Sequence, residues 1–411
     1  MISNFFSLSI LQVVGFIIPF FIVPYLIAQL GVSKFGIITL SQAVLSYFIV
    51  FSDYGFNLTA TREVSINQTN HNKLQEIFNV VITTKLLLSF ACIFLFFILF
   101  LFQSIRSEFL LILFTIPMLI GQILFPIWFF QGVEHMKYIT YLTTISKVVF
   151  TLLVFIFINE PEDYIYVNLL NGLGSVLSSL ISIWFIKKKF NLQLHFSSLK
   201  DVFFELKNGW HIMISSLSIN VYTNSSIIIL GFFVSPIILG YYSIAEKIMM
   251  AIRQVLSVFS QVIYPHICKL AKDSHTEMVR FYIKFYIPFL IFIVLSCISV
   301  FIFSVEIASF FTNENIIFIS RLIKIICFAP IITCLNIPFD RTLLAYNLIK
   351  DYSIIITIGS IISIVLSFLF SYLFQATGTA IAILCTETFI MIGLLIMLES
   401  KHKQISLIFK K

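Results

Sequence analysis

Charge is scarce in this 411-residue chain: 11% of its residues are Asp, Glu, Lys or Arg, against 59% hydrophobic. A soluble domain is about one quarter charged, so there is too little polar surface here to coat a water-soluble globule. The alternating ten-residue segments of a transmembrane barrel are missing as well. The six cysteines, Cys92, Cys268, Cys297, Cys327, Cys334 and Cys385, never form a Cys-x-x-C pair. They read as small buried hydrophobes rather than a disulfide framework or a metal site. A Gly-rich phosphate loop, paired carboxylates on one loop and a Ser-His-Asp order are all absent. No catalytic centre, metal or cofactor is therefore expected, and the protein is not expected to be an enzyme. Lacking an ATP motif, any active transport would draw on an ion gradient or a downstream sink. The first residues lack a basic segment and a small-residue cleavage site, so the first apolar run is expected to be retained.

What is present is a series of apolar runs of about 20 residues, the length of one spanning helix. They predict an all-α integral membrane protein with about twelve transmembrane helices, at roughly 8–30, 36–57, 77–102, 108–130, 138–159, 163–186, 210–233, 237–263, 281–304, 316–337, 352–374 and 377–398. Counted from a cytoplasmic N-terminus, the inner connections hold Arg62, Lys73, Lys137, Lys187, Lys188, Lys189, Lys200, Lys207, Lys269, Lys272, Arg280, Arg341 and Lys350. The tail adds Lys401, Lys403, Lys410 and Lys411, and the other side has only Lys34 and Arg106. This asymmetry, roughly 17 against 2, places both termini in the cytoplasm. It also accounts for the net charge of +7 without nucleic acid, for which no aromatic-basic module is present.

A short internal similarity links Gly36–Ser41, after the first span, to Gly240–Ala245, after the seventh; each follows a Leu-Gly pair. The offset is about half the chain, as in transporters built from repeats with the substrate site between them. The expected plan is a six-helix bundle over 1–186, a basic cytoplasmic linker over 187–209 with an amphipathic piece at Leu199–Leu206, a second bundle over 210–398 and a basic tail over 399–411.

Six cations fall inside apolar runs: Lys85, Lys147, Lys247, Arg253, Arg321 and Lys324. At about 2.5–3.5 kcal/mol each at a helix centre, they cannot all face lipid. Arg321 and Lys324 are close enough to a span end to reach the headgroups. Lys247 and Arg253 have Glu246 within two turns. Lys85 and Lys147 have no acid nearby in sequence and are the leading candidates to line a hydrated cavity. Intramembrane acids are fewer, Asp53, Glu246 and Glu387, and are candidates for ion coupling. A cavity with this bias attracts an anion such as a diphosphate and repels a cationic drug. Asn168, Asn171, Ser175, Ser178 and Ser182 form a polar stripe on one face of the sixth span, and Ser216, Asn220 and Asn224 do so on the seventh. Helix–helix hydrogen bonding and contact with sugar hydroxyls are both open readings for the asparagines Asn168, Asn171, Asn220 and Asn224. The histidines are expected in loops or at helix ends.

Three stretches carry a resemblance. Pro24-Tyr25-Leu26 leading to Leu30-Gly31-Val32-Ser33-Lys34-Phe35-Gly36, then Asp53-Tyr54-Gly55-Phe56 running to Thr61-Arg62-Glu63, and above all Pro126–Lys137, resemble the O-antigen and polysaccharide flippases. These belong to the multidrug/oligosaccharidyl-lipid/polysaccharide exporter superfamily. The resemblance implies two six-helix bundles around a central cavity and alternating access. It also implies an undecaprenyl-diphosphate-linked glycan as cargo, moved from the inner to the outer leaflet of a bacterial inner membrane. A polysaccharide polymerase and a chain-length regulator are the implied partners, beside membrane lipids. The chain departs from the family in one place: Tyr222-Thr223-Asn224 is followed by Ser225-Ser226, where an acid is common, so an ion-coupling role at that position has no carrier here. Two other readings share this hydropathy. A polymerase or ligase of the same pathway would need a sizeable outer loop bearing basic residues, whereas these outer loops are short and nearly free of them. A multidrug antiporter would need more buried acids.

Overall fold

A chain crossing lipid must satisfy its backbone hydrogen bonds internally, which leaves helices as the means for a sequence of this pattern. The computed structural model describes residues 2–98 and 108–401, and there is no strand among them. Arg106, Lys403, Lys410 and Lys411, which enter the charge asymmetry, lie outside the described residues. Among the described residues, nine helical stretches are long and apolar enough to cross a membrane. Two of these, Phe21–Ile66 and Ile349–Glu399, run to 46 and 51 residues, about twice what one crossing needs. The surface is apolar in the same sense: Ile291, Leu295, Ile298 and Ile302 on one helix, and Ile354, Ile358, Ile361, Val365 and Phe368 on another, are all exposed. Apolar stripes of this extent belong in lipid rather than water.

The chain divides into two compact units, Met1–Asn220 and Val221–Lys411. Unit 1 begins with α1 (Ile2–Asp53), which is interrupted at Gly31 with φ 81° and ψ 158°. A side chain adopts that backbone rarely, so a glycine divides what would otherwise be one rod. There follow α2 (Phe56–Ile66), α3 (His71–Ile98), α4 (Phe109–Leu113), α5 (Ile116–Leu124), α6 (Ile127–Gly132), α7 (Met136–Phe157), a 3-10 turn over Pro161–Ile165, and α8 (Tyr166–Phe190). The Pro126–Lys137 stretch supplies Trp128, Phe129 and Phe130, all fully buried, to a core that also holds Phe56, Val64 and Phe78.

Small residues let α5 and α8 approach closely. A Cβ added at Gly121 would lie 2.5 Å from the Ser175 Cβ and 2.6 Å from its backbone carbon. Gly172, Gly174, Ser175, Ser178, Ser179 and Ser182 give α8 a small buried face, the usual basis of tight helix contact in lipid. Gly121→Val is expected to destabilise the chain by about 3 kcal/mol or more, because backbone rather than a flexible side chain must move. Thermal unfolding of the purified variant in detergent measures this, and an unchanged midpoint would mean that the helices are not held so close.

In the connection after α8, residues 187–190 complete α8 and 199–209, with the amphipathic piece Leu199–Leu206, open α9 (Leu199–Gly231), so only 191–198 is non-helical. These residues are zippered onto α3. Gln193 N donates to Gln75 Oε1 (2.8 Å), His195 N to Asn79 Oδ1 (3.1 Å) and Ser197 N to Thr83 Oγ1 (3.1 Å). Every second residue of the strap meets every fourth residue of the helix. The register matches because four helical residues rise about 6 Å and two extended residues about 6.6 Å. Unit 1 ends at Asn220, inside α9.

Unit 2 contains the end of α9, α10 (Pro236–Asp273), α11 (His275–Phe281), a π-helical turn over Tyr282–Tyr286, α12 (Ile287–Ile302), α13 (Ser304–Phe311), α14 (Ile316–Ile326), α15 (Ala329–Ala345) and α16 (Ile349–Lys401). Gln375, at φ 52° and ψ −136°, interrupts α16. One core gathers Leu256, Ile263, Ile267, Met278, Ile293 and Ile337, and a second joins Leu343, Ile355, Ile390 and Leu394. Among the described residues no group of His, Cys, Asp or Glu could hold a metal ion. Of the cysteines, Cys92, Cys297, Cys327 and Cys334 are buried, Cys268 is half-buried and Cys385 is exposed; all are free.

Candidate functional site

The intramembrane charges of unit 1 separate into one that is paired and one that is not. Lys85, on α3, is only 2% exposed, and its Nζ donates to Asp53 Oδ1, at the end of α1, at 2.7 Å. Sequence reading saw no acid near Lys85; its partner is 32 residues away and reaches it only when α1 and α3 pack. The pair opens onto a cavity of about 140 Å³, whose polar lining is Asp53, Asn57, Lys85, Gln122 and Ser216. That volume accommodates roughly five waters. The Asn57 Oδ1 is buried without a partner, leaving an acceptor for a water or ligand beside the ion pair. Ser216 belongs to the polar stripe read on the seventh span, whereas Asn57 and Gln122 were not singled out from sequence. The available signal was that Asp53 and Asn57 are one turn apart.

Lys147 stands eleven residues into α7, near its middle. It is half-buried, and its ammonium has neither counter-ion nor acceptor among the described residues. The exposed apolar stripe of α7 runs through Tyr141, Ile145, Val148, Leu152 and Phe155. Lys147 projects from another face, which it shares with Thr140, Thr144 and Thr151 at spacings of three and four. The Thr144 hydroxyl is buried and unpartnered. A bare ammonium flanked by hydroxyls can neutralise and hydrogen-bond an anion.

The asparagines behave differently from one another. Asn168 is fully buried. Its amide accepts from Gln42 (2.9 Å) and donates to Ser41 (2.8 Å) and Thr115 (3.2 Å), so its hydrogen-bonding capacity is engaged in holding α1, α8 and the Thr115 turn together. Asn171 is half-buried, and Asn220 accepts from Ser46 (3.2 Å). A second cavity of about 460 Å³ lies among α2, α3 and the first turns of α9, with Arg62, Glu63, Lys73, Glu76, Glu205 and Asn208 among its lining. At a loop, His135 packs near Tyr138 and Phe190. Burial, then the Lys189 and Lys137 charges, hold its imidazole below the usual histidine range, so it is neutral at neutral pH.

In unit 2, Arg253 on α10 is paired with the buried Glu387 on α16. Asn336 on α15 donates to the other oxygen of Glu387 at 3.4 Å. The Arg253 Nε and Asn336 Oδ1 remain buried without partners. Asn336 was not foreseen; nothing in its sequence surroundings sets it apart. Glu246 is 7% exposed and Lys247 half-buried beside it. Arg321, midway along α14 and towards the beginning of the apolar stretch Ile316–Ala345, is exposed, and Lys324 is half-buried, its Nζ over the Phe301 ring at 5.6 Å. Asn224 donates to the neighbouring Thr223 (3.1 Å).

With this geometry in view, the chain can be set beside known proteins. The pattern of the family described as "Polysaccharide biosynthesis protein" matches residues 1–271. A protein of Escherichia coli K12 named "Putative O-antigen transporter" is 29% identical over 397 residues, with 93% of each chain covered. A protein of the same name from Shigella dysenteriae is 26% identical, covering 96% of this chain and 98% of its own. Among solved structures, the lipid II flippase MurJ in an inward closed conformation superimposes with a TM-score of 0.73 at 17% identity, covering 98% of this chain and 87% of that one. An inward-facing multidrug resistance MATE family transporter of the MOP superfamily gives 0.68 at 14% identity, with 97% of both chains covered. At those identities the likeness concerns the fold, that of a multi-pass α-helical membrane protein.

Proposed function

Since the chain belongs to the polysaccharide biosynthesis protein family, we propose that it is a flippase for a lipid-linked oligosaccharide. Its cargo is an undecaprenyl-diphosphate-linked repeat unit of O-antigen or capsule, carried from the inner to the outer leaflet of the bacterial plasma membrane. The observation that carries the chemical part is Lys147: an unpaired ammonium at mid-helix is unfavourable in lipid and favourable where an anionic headgroup passes. Lys85 and Arg253 add charge that carboxylates hold in place while no cargo is bound. The polyprenyl tail stays in lipid, and the diphosphate and sugar pass through by alternating access, drawing on an ion gradient for which Asp53, Glu246 and Glu387 are the candidate couplers. Lys247, Arg321 and Lys324 are the further candidates for contact with the anionic headgroup, and Asn171, Asn220 and Asn224 for contact with the sugar. Twelve crossings with both termini cytoplasmic follow if the two longest helical stretches are divided at Gly31 and Gln375 and Pro236–Asp273 is counted. A polymerase and a chain-length regulator are the partners expected downstream.

A deletion strain tests the reading. Lipid-linked repeat units should accumulate on the cytoplasmic leaflet, and the intact gene should restore surface polysaccharide. Unpolymerised repeats already on the outer face would instead mark a polymerase or ligase.

A further inference from the structure

The zipper between α3 and residues 191–198 has a consequence for what the strap presents outward. Gln193, His195 and Ser197 turn their backbone N–H groups to Gln75, Asn79 and Thr83. The residues between them, Leu194 and Phe196, are left 52% and 86% exposed. The ridge continues on α9 through Leu199 and Phe203, one turn apart and 63% and 68% exposed. Four large apolar side chains therefore stand in a row on a segment whose backbone register is fixed. Such a row is unstable in water and belongs against an apolar phase.

The charges beside the ridge are arranged by sign. Lys187 and Lys188 end α8 and are exposed, as are Lys200 and Lys207. At about 100° per residue, Lys200 and Lys207 share one flank of α9 next to the ridge, while Asp201 and Glu205 lie on the far side. Asp201 is engaged with Ser198, whose hydroxyl donates to it at 2.7 Å, and Glu205 lines the 460 Å³ cavity. Trp184 and Trp210 bracket the strap, 59% and 44% exposed, with the Lys188 ammonium 5.1 Å from the Trp184 ring centroid. Exposed tryptophans with neighbouring lysines mark the headgroup level of a bilayer.

We propose that this ridge is a binding surface for anionic phospholipid, with the apolar row entering the acyl boundary and the lysines holding the phosphates. A lysine near an anionic surface strengthens attachment by roughly fivefold, so several acting together select the headgroup rather than merely tolerating it. The inference does not depend on the cargo: it concerns only unit 1 and the membrane around it.

The test uses the full chain in nanodiscs of phosphatidylcholine with a minor fraction of phosphatidylglycerol. Phe196→Trp places a reporter on the ridge at a position so exposed that the exchange disturbs no packing, and the unsubstituted chain supplies the background from its own tryptophans. Bromine is carried on the acyl chains of one lipid at a time. The added fluorescence should be quenched, and per mole of lipid several-fold more by brominated phosphatidylglycerol than by brominated phosphatidylcholine. Adding Lys187→Gln, Lys188→Gln and Lys200→Gln should bring the two lipids to equality while quenching persists. Absence of added quenching would overturn the proposal, placing the strap in water or under a protein. Equal quenching by both lipids in the Phe196→Trp chain would also overturn it, reducing the ridge to a contact without headgroup preference.

Discussion

Lys147→Met is expected to cut export of surface polysaccharide sharply while raising the thermal stability of the purified chain. The two effects have one origin. An ammonium at mid-helix without a partner costs about 2.5–3.5 kcal/mol on insertion scales, and methionine fills the same volume without that penalty. The charge-assisted contact it would make with a diphosphate contributes about 1.5–3 kcal/mol, so its loss lowers transport by roughly 10- to 100-fold. Surface polysaccharide on a complemented deletion strain and a melting curve in detergent measure the pair of outcomes. Normal export with a raised midpoint would reject Lys147 as a cargo contact. A lowered midpoint would mean that the ammonium has a stabilising partner after all.

The second large effect concerns the Asp53–Lys85 pair. Asp53→Asn is expected to destabilise the chain by about 3–5 kcal/mol, because it leaves a buried ammonium without compensation. Replacing both, as Asp53→Asn with Lys85→Met, should recover most of that loss, since a buried pair is often no more stable than an apolar substitute. The double variant then separates the two roles of Lys85. If it only braces α1 against α3, a folded double variant exports normally. If the pair also acts in transport, Lys85 on cargo or Asp53 in coupling, the double variant is stable and inactive. Melting curves of the single and double variants, read as a double-mutant cycle, give the coupling, and a cycle energy near zero would dismiss the pair as a structural element.

Lys85 and Lys147 illustrate where sequence reading reached and where it stopped. Both were recognisable as cations too deep for lipid, from composition and span position alone. Whether each had an acid across the bundle was not recognisable, because helices far apart in the chain meet in ways that span position does not specify. Lys85 has its acid and Lys147 has none. The polar stripe on the sixth span divides similarly. Asn168 is absorbed into the contact of α1 with α8, whereas Asn171, one turn on, is only half-buried. In sequence the strap is indistinct within a 23-residue linker, since lysines and polar residues look alike whether they close a helix or connect two. Its zipper depends on Gln75, Asn79 and Thr83, which on α3 alone look like ordinary polar positions.

The amino-acid sequence by itself determined that this protein is helical, that it crosses a membrane many times, and that its intramembrane charge is predominantly positive. Each of these follows from local terms: apolar length, the need of every backbone N–H and C=O for a partner, and the energy of an ammonium away from water. Tertiary structure decided which charges are neutralised, where Gly31 and Gln375 break the long helices, and that the division into two units falls within α9. Those outcomes depend on which helices come within hydrogen-bonding reach, as in Arg253 with Glu387, 134 residues apart. The distance over which such a contact acts is a few ångströms in space and bears no relation to separation along the chain.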